Sequence, residues 1–212
     1  MSVFIAFLLG YRVRVAPIDR VDYSVDIDEL NGLIGGSTVM LVGSAPNYPY
    51  GTMDNIEVLS ELALDNGLWL HVDACICGFT LPFQRLLGEE IPSYDFELDG
   101  VYSLSADLHK YGYAPKGASL ILYRDRGLRV HQIYVNTGWP GYPLVNTTIL
   151  SSRSAGSLAA SWAIINYLGI DGYKRLTRRI MNARDRLVKG LGRLGFRVMK
   201  IAARKLPSLE GG

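Results

Sequence analysis

An α/β fold on a mostly parallel sheet is predicted by three features of the sequence. Short apolar runs stop abruptly at polar or charged residues, segments of helical spacing separate them, and glycine or proline marks the junctions. The chain has 212 residues, 49% hydrophobic and 20% charged, which is enough to bury about 70% of the unfolded surface in one large domain plus part of another.

Residues 2–9 are nearly all apolar and end at Gly10, which fits a buried helix or strand. They lack a basic leader and fall far short of the ~20 residues that span a bilayer, so neither a signal peptide nor a transmembrane segment is expected. Tyr11-Arg-Val-Arg-Val-Ala-Pro-Ile18 alternates as a half-exposed strand does. Ile27, Leu30, Leu33 and Ile34 then share one helical face, with Asp26 as N-cap and Gly35-Gly36 as the stop.

Thr38-Val-Met-Leu-Val42 reads as a buried strand leading into Gly43-Ser-Ala-Pro-Asn-Tyr-Pro-Tyr-Gly51, a loop that either aims Ser44 at a ligand or serves as a rigid connection. Asp54 is placed to cap a helix through Leu64 that buries Ile56, Leu59, Leu62 and Ala63 and closes at Asn66-Gly67. The next strand, Leu68-Trp-Leu-His-Val-Asp73, drives an aspartate to its carboxyl end, where open α/β sheets bind ligands. Residues 78–88 suit a loop and a short helix.

Leu98-Asp-Gly-Val-Tyr-Ser-Leu-Ser105 leads into Lys110, so a second strand end delivers a lysine. Lysine normally points its hydrated ammonium into solvent; where burial or a neighbouring cation lowers its pKa, the free amine attacks carbonyls. The strand over residues 118–123 follows too soon for a helical crossover and is expected to run antiparallel. Asp125 starts a helix that carries His131 towards the surface. Residues 137–143 and 151–156 are irregular, and a helix follows over residues 158–168. Arg153 ahead of that helix either holds an anion or covers a subunit seam. Residues 172–192 form a basic amphipathic helix with a solvated face, and residues 196–201 alternate like a strand.

Net charge is only +2, with 22 basic against 20 acidic residues, which removes the electrostatic footprint of a nucleic-acid binder. Cys75 and Cys77 stand too close for a disulfide and are too few for a zinc site, so no metal is expected. They read as small apolar fillers in a reducing, cytoplasmic compartment.

Asp73 and Lys110 suit the two ends of one aromatic aldehyde, the acid at a pyridinium nitrogen and the amine at the aldehyde, which is what a protein supplies in pyridoxal-phosphate chemistry. With His71-Val-Asp-Ala74, Ser105-Ala-Asp-Leu-His-Lys-Tyr-Gly-Tyr-Ala-Pro-Lys-Gly117 and the loop over residues 43–51, the chain resembles the group II pyridoxal-phosphate decarboxylase superfamily. Within it the likeness runs to the sphingosine-1-phosphate lyases of prokaryotic type. The resemblance implies the large domain of an aspartate aminotransferase-like transferase over residues 1–168, incomplete at its N-terminus, and the start of a small C-terminal α/β domain over residues 169–212.

It also implies pyridoxal 5'-phosphate as cofactor, Lys110 as the Schiff-base lysine and Asp73 as the partner of the ring nitrogen. Ala74 would pack under the ring, His109 beside it, and Ser44 at its polar edge. Lys116 is given a substrate-anion or proton-transfer role, beside the plain alternative of a solvent-facing lysine. Arg153 would reach the neighbouring subunit's cofactor in a homodimer, and the exposed sheet edge should promote association. The implied reaction is carbon–carbon cleavage of a phosphorylated amino alcohol. The alternatives are decarboxylation of an L-amino acid, or a non-catalytic paralogue with a structural or regulatory role. Full-length relatives carry a phosphate cup and a ring-stacking residue ahead of this region, which are expected outside this chain.

Overall fold

The computed structural model describes residues 6, 9–149, 152–196 and 198. Its elements are α1 (Ile27–Leu33), β1 (Met40–Ser44), α2 (Ile56–Asp65), β2 (Trp69–Asp73), α3 (Leu81–Leu86), β3 (Val101–Ala106), β4 (Leu120–Tyr123), α4 (Arg126–Val130), β5 (Tyr134–Asn136), β6 (Leu144–Asn146) and α5 (Gly156–Arg193). The main sheet has the order β1-β2-β3-β4, with the first three strands parallel and β4 antiparallel. β5 and β6 pair as a separate antiparallel ribbon.

The first two helices begin where a side chain satisfies a free amide. Asp26 caps α1 by accepting from the Glu29 amide at 3.1 Å. Asn55, rather than the expected Asp54, caps α2 by accepting from the Val58 amide at 3.2 Å. Both residues are capable caps, but tertiary bonds claim the Asp54 carboxylate, which accepts from the Val25 amide at 2.8 Å and the Ser44 amide at 2.7 Å.

The core lies between α2 and one face of the sheet. Ile56, Leu59 and Ala63 of α2 join Leu41, Leu70, Val72, Val101 and Leu104 in one buried cluster. Gly43 belongs to β1 rather than to a turn, and its lack of a side chain lets α2 approach. A Cβ there would stand 2.6 Å from Leu59 Cδ1 and 2.7 Å from Ile56 Cδ1. Because Leu59 is fully buried, Leu59→Ala is expected to cost about 2–5 kcal/mol, read as a lower urea midpoint at unchanged slope.

Several expectations are corrected. Residues 11–18 form no strand: only Ile18 makes a bridge, to Val25, and Val15 is 80% exposed, because alternation without a partner strand gains nothing. The two helices expected over residues 158–168 and 172–192 run on as α5, broken only at Gly169, whose φ of 54° and ψ of −172° suit glycine. The helix after Asp125 stops at Val130, and His131 is its exposed C-cap. The readings for residues 2–9 and 196–201 fall largely outside the described residues.

Candidate active site

β2 and β3 are parallel neighbours, so their carboxyl ends open side by side, with Asp73 paired to Ser105 in the register. Past β1, the Ala45 amide donates to the Asp73 carbonyl at 3.0 Å, which ties that loop to the end of β2. Past β3, the Asp107 amide donates to the Cys75 carbonyl at 3.1 Å, and the His109 amide donates to the Ala118 carbonyl at 3.1 Å. The lysine loop is thereby stitched to β2 on one side and to the approach of β4 on the other. Gly78 allows this closeness, since a Cβ there would fall 2.7 Å from Ala106 Cβ.

Asp73 Oδ1 accepts from the Ser105 hydroxyl at 2.8 Å and from the Cys75 amide at 3.1 Å. Burial alone would raise its pKa, but these bonds and one from the Cys75 side chain outweigh it, so the carboxyl titrates below the usual aspartate value. Asp73 is therefore an anion at neutral pH. Two residues earlier on β2, burial lowers the pKa of His71 against an opposing pull from Asp73. The His71 Nδ1 lies 2.8 Å from the Ser103 hydroxyl.

Lys110 Nζ stands 2.8 Å from Asp107 Oδ2 and donates to Cys75 Sγ at 2.9 Å. Burial opposes its charge, yet the bonds to Asp107 and Cys75 outweigh burial and raise its pKa. Activation by a lowered pKa is thus not found here, because a carboxylate sits where a cation or an apolar wall would be needed. Asp107 is buried, and its Oδ1 accepts from the Ser119 hydroxyl at 2.6 Å.

Cys75 is corrected from filler to contact residue. It bonds both Asp73 and Lys110, and burial raises the pKa of its thiol, which stays protonated. Cys77 packs against the core, as a filler does. Ala74 is fully enclosed in that core, and Cys75 is the side chain that contacts both the acid and the amine. His109 lies beside the lysine: its Nδ1 donates to the Ala118 carbonyl at 2.8 Å, and its Nε2 is 3.6 Å from Asp107 Oδ2. Ser44 pairs with Asp73 in the β1–β2 register. Lys116 and Arg153 are exposed, and among the described residues neither forms a salt bridge.

The structure thus joins Asp73 and Lys110 through one intervening side chain and adds Ser105, Cys75, Asp107 and Ser119 to them. Asp107 left a signal in the sequence, a carboxylate three residues before a strand-end lysine. Cys75 left none, because its partner lies 35 residues away. A lasting anion and a primary amine on adjacent strand ends fit the ring nitrogen and the aldehyde of a pyridoxal group.

Comparison with known proteins shows the family. Residues 23–202 match the model of the pyridoxal-dependent decarboxylase conserved domain. The chain belongs to the pyridoxal-dependent decarboxylase family. Among family relatives it is 46% identical over 175 residues to a sphingosine-1-phosphate lyase of Arabidopsis thaliana, covering 82% of this chain and 32% of that protein. It is 38% identical over 198 residues to a probable L-tyrosine/L-aspartate decarboxylase of Methanothermobacter thermautotrophicus, covering 92% of this chain and 53% of that one.

Among solved structures, the sphingosine-1-phosphate lyase of Burkholderia pseudomallei superposes with a TM-score of 0.81 at 46% identity, covering 83% of this chain and 40% of that one. The chain therefore spans about a third to a half of the length of these relatives. The cofactor of the family is pyridoxal phosphate, and its members include lyases and decarboxylases. Among the described residues no helix is long and apolar enough to cross a membrane, and no group of three or more His, Cys, Asp or Glu residues is placed to hold a metal.

Proposed function

We propose that this chain carries the acid-and-amine centre of a pyridoxal-phosphate-dependent carbon–carbon lyase acting on a phosphorylated amino alcohol. The observation that carries the reading is that Asp73 and Lys110, from adjacent strand ends, both contact Cys75. Bound there, pyridoxal phosphate supplies an electron-withdrawing ring that accepts the electron pair of the substrate bond being broken. Asp73, kept anionic by Ser105 and Cys75, holds the proton on the ring nitrogen. Lys110 is the amine that would hold the cofactor at its aldehyde.

His109 and Ser44 border the same opening, and Lys116 on the lysine loop meets the anionic group of the substrate or relays a proton. Arg153 serves the partner subunit of a homodimer. Exposed cations of this kind suit a phosphorylated substrate better than a neutral one. The reading carries with it a cytoplasmic setting that keeps both cysteines reduced.

Decarboxylation of an amino acid is the second reading, favoured by the archaeal relative, whose match covers more of this chain. Adding pyridoxal phosphate to the purified protein is expected to give a visible absorbance band, and borohydride is expected to fix the cofactor's mass on the Lys110 peptide. No band and no label would leave a structural paralogue. Aldehyde release from a phosphorylated sphingoid base, against carbon dioxide release from aromatic or acidic amino acids, separates the two enzymes.

A further inference from the structure

We infer that Asp107 is a positioning residue that docks Lys110 as a charged ammonium at the junction of β2 and β3, so that carbonyl capture by this lysine is gated by that carboxylate. The inference rests on the proposed role of Lys110 and deepens it. Asp107 is 7% exposed and fixed from three directions. Its amide is bonded to Cys75 after β2, its Oδ1 to Ser119 ahead of β4, and its carbonyl accepts from the Lys110 amide at 3.2 Å. A carboxylate so held cannot follow a moving lysine, so the amine returns to one place.

The charged and titratable groups that face the pair are few. Lys110 meets Asp107 and Cys75, with Asp73 beyond the thiol and Cys77 within electrostatic reach. Asp107 also meets His109 Nε2 at 3.6 Å. To bond a carbonyl carbon, the ammonium must first release a proton and expose its lone pair. The C–N bond then forms, and the carbonyl oxygen leaves as water. Asp107 Oδ2, at 2.8 Å, lies where that first proton is held. The geometry therefore opposes capture at low pH and favours it as pH rises. Burial, the largest single influence, pulls Lys110 the other way, and the bonds to Asp107 and Cys75 together outweigh it.

Competitive acetylation with isotopic acetic anhydride reads this without cofactor or turnover. The free amine attacks one carbonyl, acetate leaves with the bonding pair, and the amine proton passes to buffer. Lys116, exposed on the same loop, serves as the internal reference. At about pH 8, Asp107→Asn is expected to raise the acetylation rate of Lys110 about tenfold and to displace its pH profile downward, as removal of one adjacent opposite charge does. Lys116 should not change, and Asp107→Glu should restore the slow profile.

An unchanged Lys110 profile in Asp107→Asn, with Lys116 also unchanged, overturns the inference. If Asp107→Asn does not fold, Ser119→Ala decides, because it loosens the anchorage of the carboxylate while keeping the charge. A smaller rise in Lys110 reactivity is expected there, and its absence overturns the inference as well. Borohydride labelling of the wild-type protein with pyridoxal phosphate separates the two failures. A displaced acetylation profile without cofactor label sinks the cofactor reading alone, whereas a label without displacement sinks the docking alone.

Discussion

Lys110→Ala is expected to abolish both the visible band and the borohydride label, and to lower turnover by at least about 10³-fold, since it removes the bonding amine. Lys110→Arg is the sharper version of the same experiment. Its guanidinium keeps a cation beside Asp107 yet stays protonated and does not bond a carbonyl. Equal loss of label in both variants, with the fold of the arginine variant intact by circular dichroism, ties the effect to chemistry and not to the ion pair. Label persisting on another lysine in either variant would displace Lys110 from its role.

Asp73→Asn is expected to lower turnover by about 10²–10³-fold, the usual cost of removing one preorganised electrostatic partner of the reacting system. An asparagine can still accept from Ser105 and the Cys75 amide through its single oxygen, so cofactor capture by Lys110 should survive while turnover falls. The same variant has a stability signature. The folded-state pKa of Asp73 lies below its unfolded value, so its contribution is present above about pH 4 and fades as pH falls through the lower, folded value. Urea midpoints measured down that acidic range should fall more steeply for wild type than for Asp73→Asn. Identical slopes would mean that Asp73 is not held as described.

The parts of this architecture that were legible in the sequence are those where local pattern and tertiary need coincide. β2 and β3 were legible because buried parallel strands must be apolar and must stop where the chain emerges into solvent at a polar residue, whereas β1, expected as a buried strand, is an edge strand that leaves Met40 and Val42 exposed on one face. β4 followed from the shortness of its connection, which admits only a reversal. Where two local choices were equivalent, sequence was silent. Asp54 and Asn55 are both good caps, and only the distant Val25 and Ser44 amides explain why Asp54 is diverted.

The candidate site divides in the same way. Asp73 and Lys110 stand at strand ends and announce themselves by position. Cys75 looked inert, because its chemistry comes from what the fold brings to it. The direction of the Lys110 pKa was hidden for a related reason. Burial and an opposing carboxylate act together there, and only geometry shows that Asp107 and Cys75 are both close enough to outweigh burial.

The loops that hold the acid and the amine are joined by a main-chain bond, Asp107 to Cys75, and a second one, Ala45 to Asp73, ties the loop after β1 to the acid's strand. The geometry of the site is accordingly part of the sheet's own cooperative unit. Parting the two reactive ends therefore takes the breaking of a backbone bond at the carboxyl ends of β2 and β3, and not only a change of side-chain rotamer.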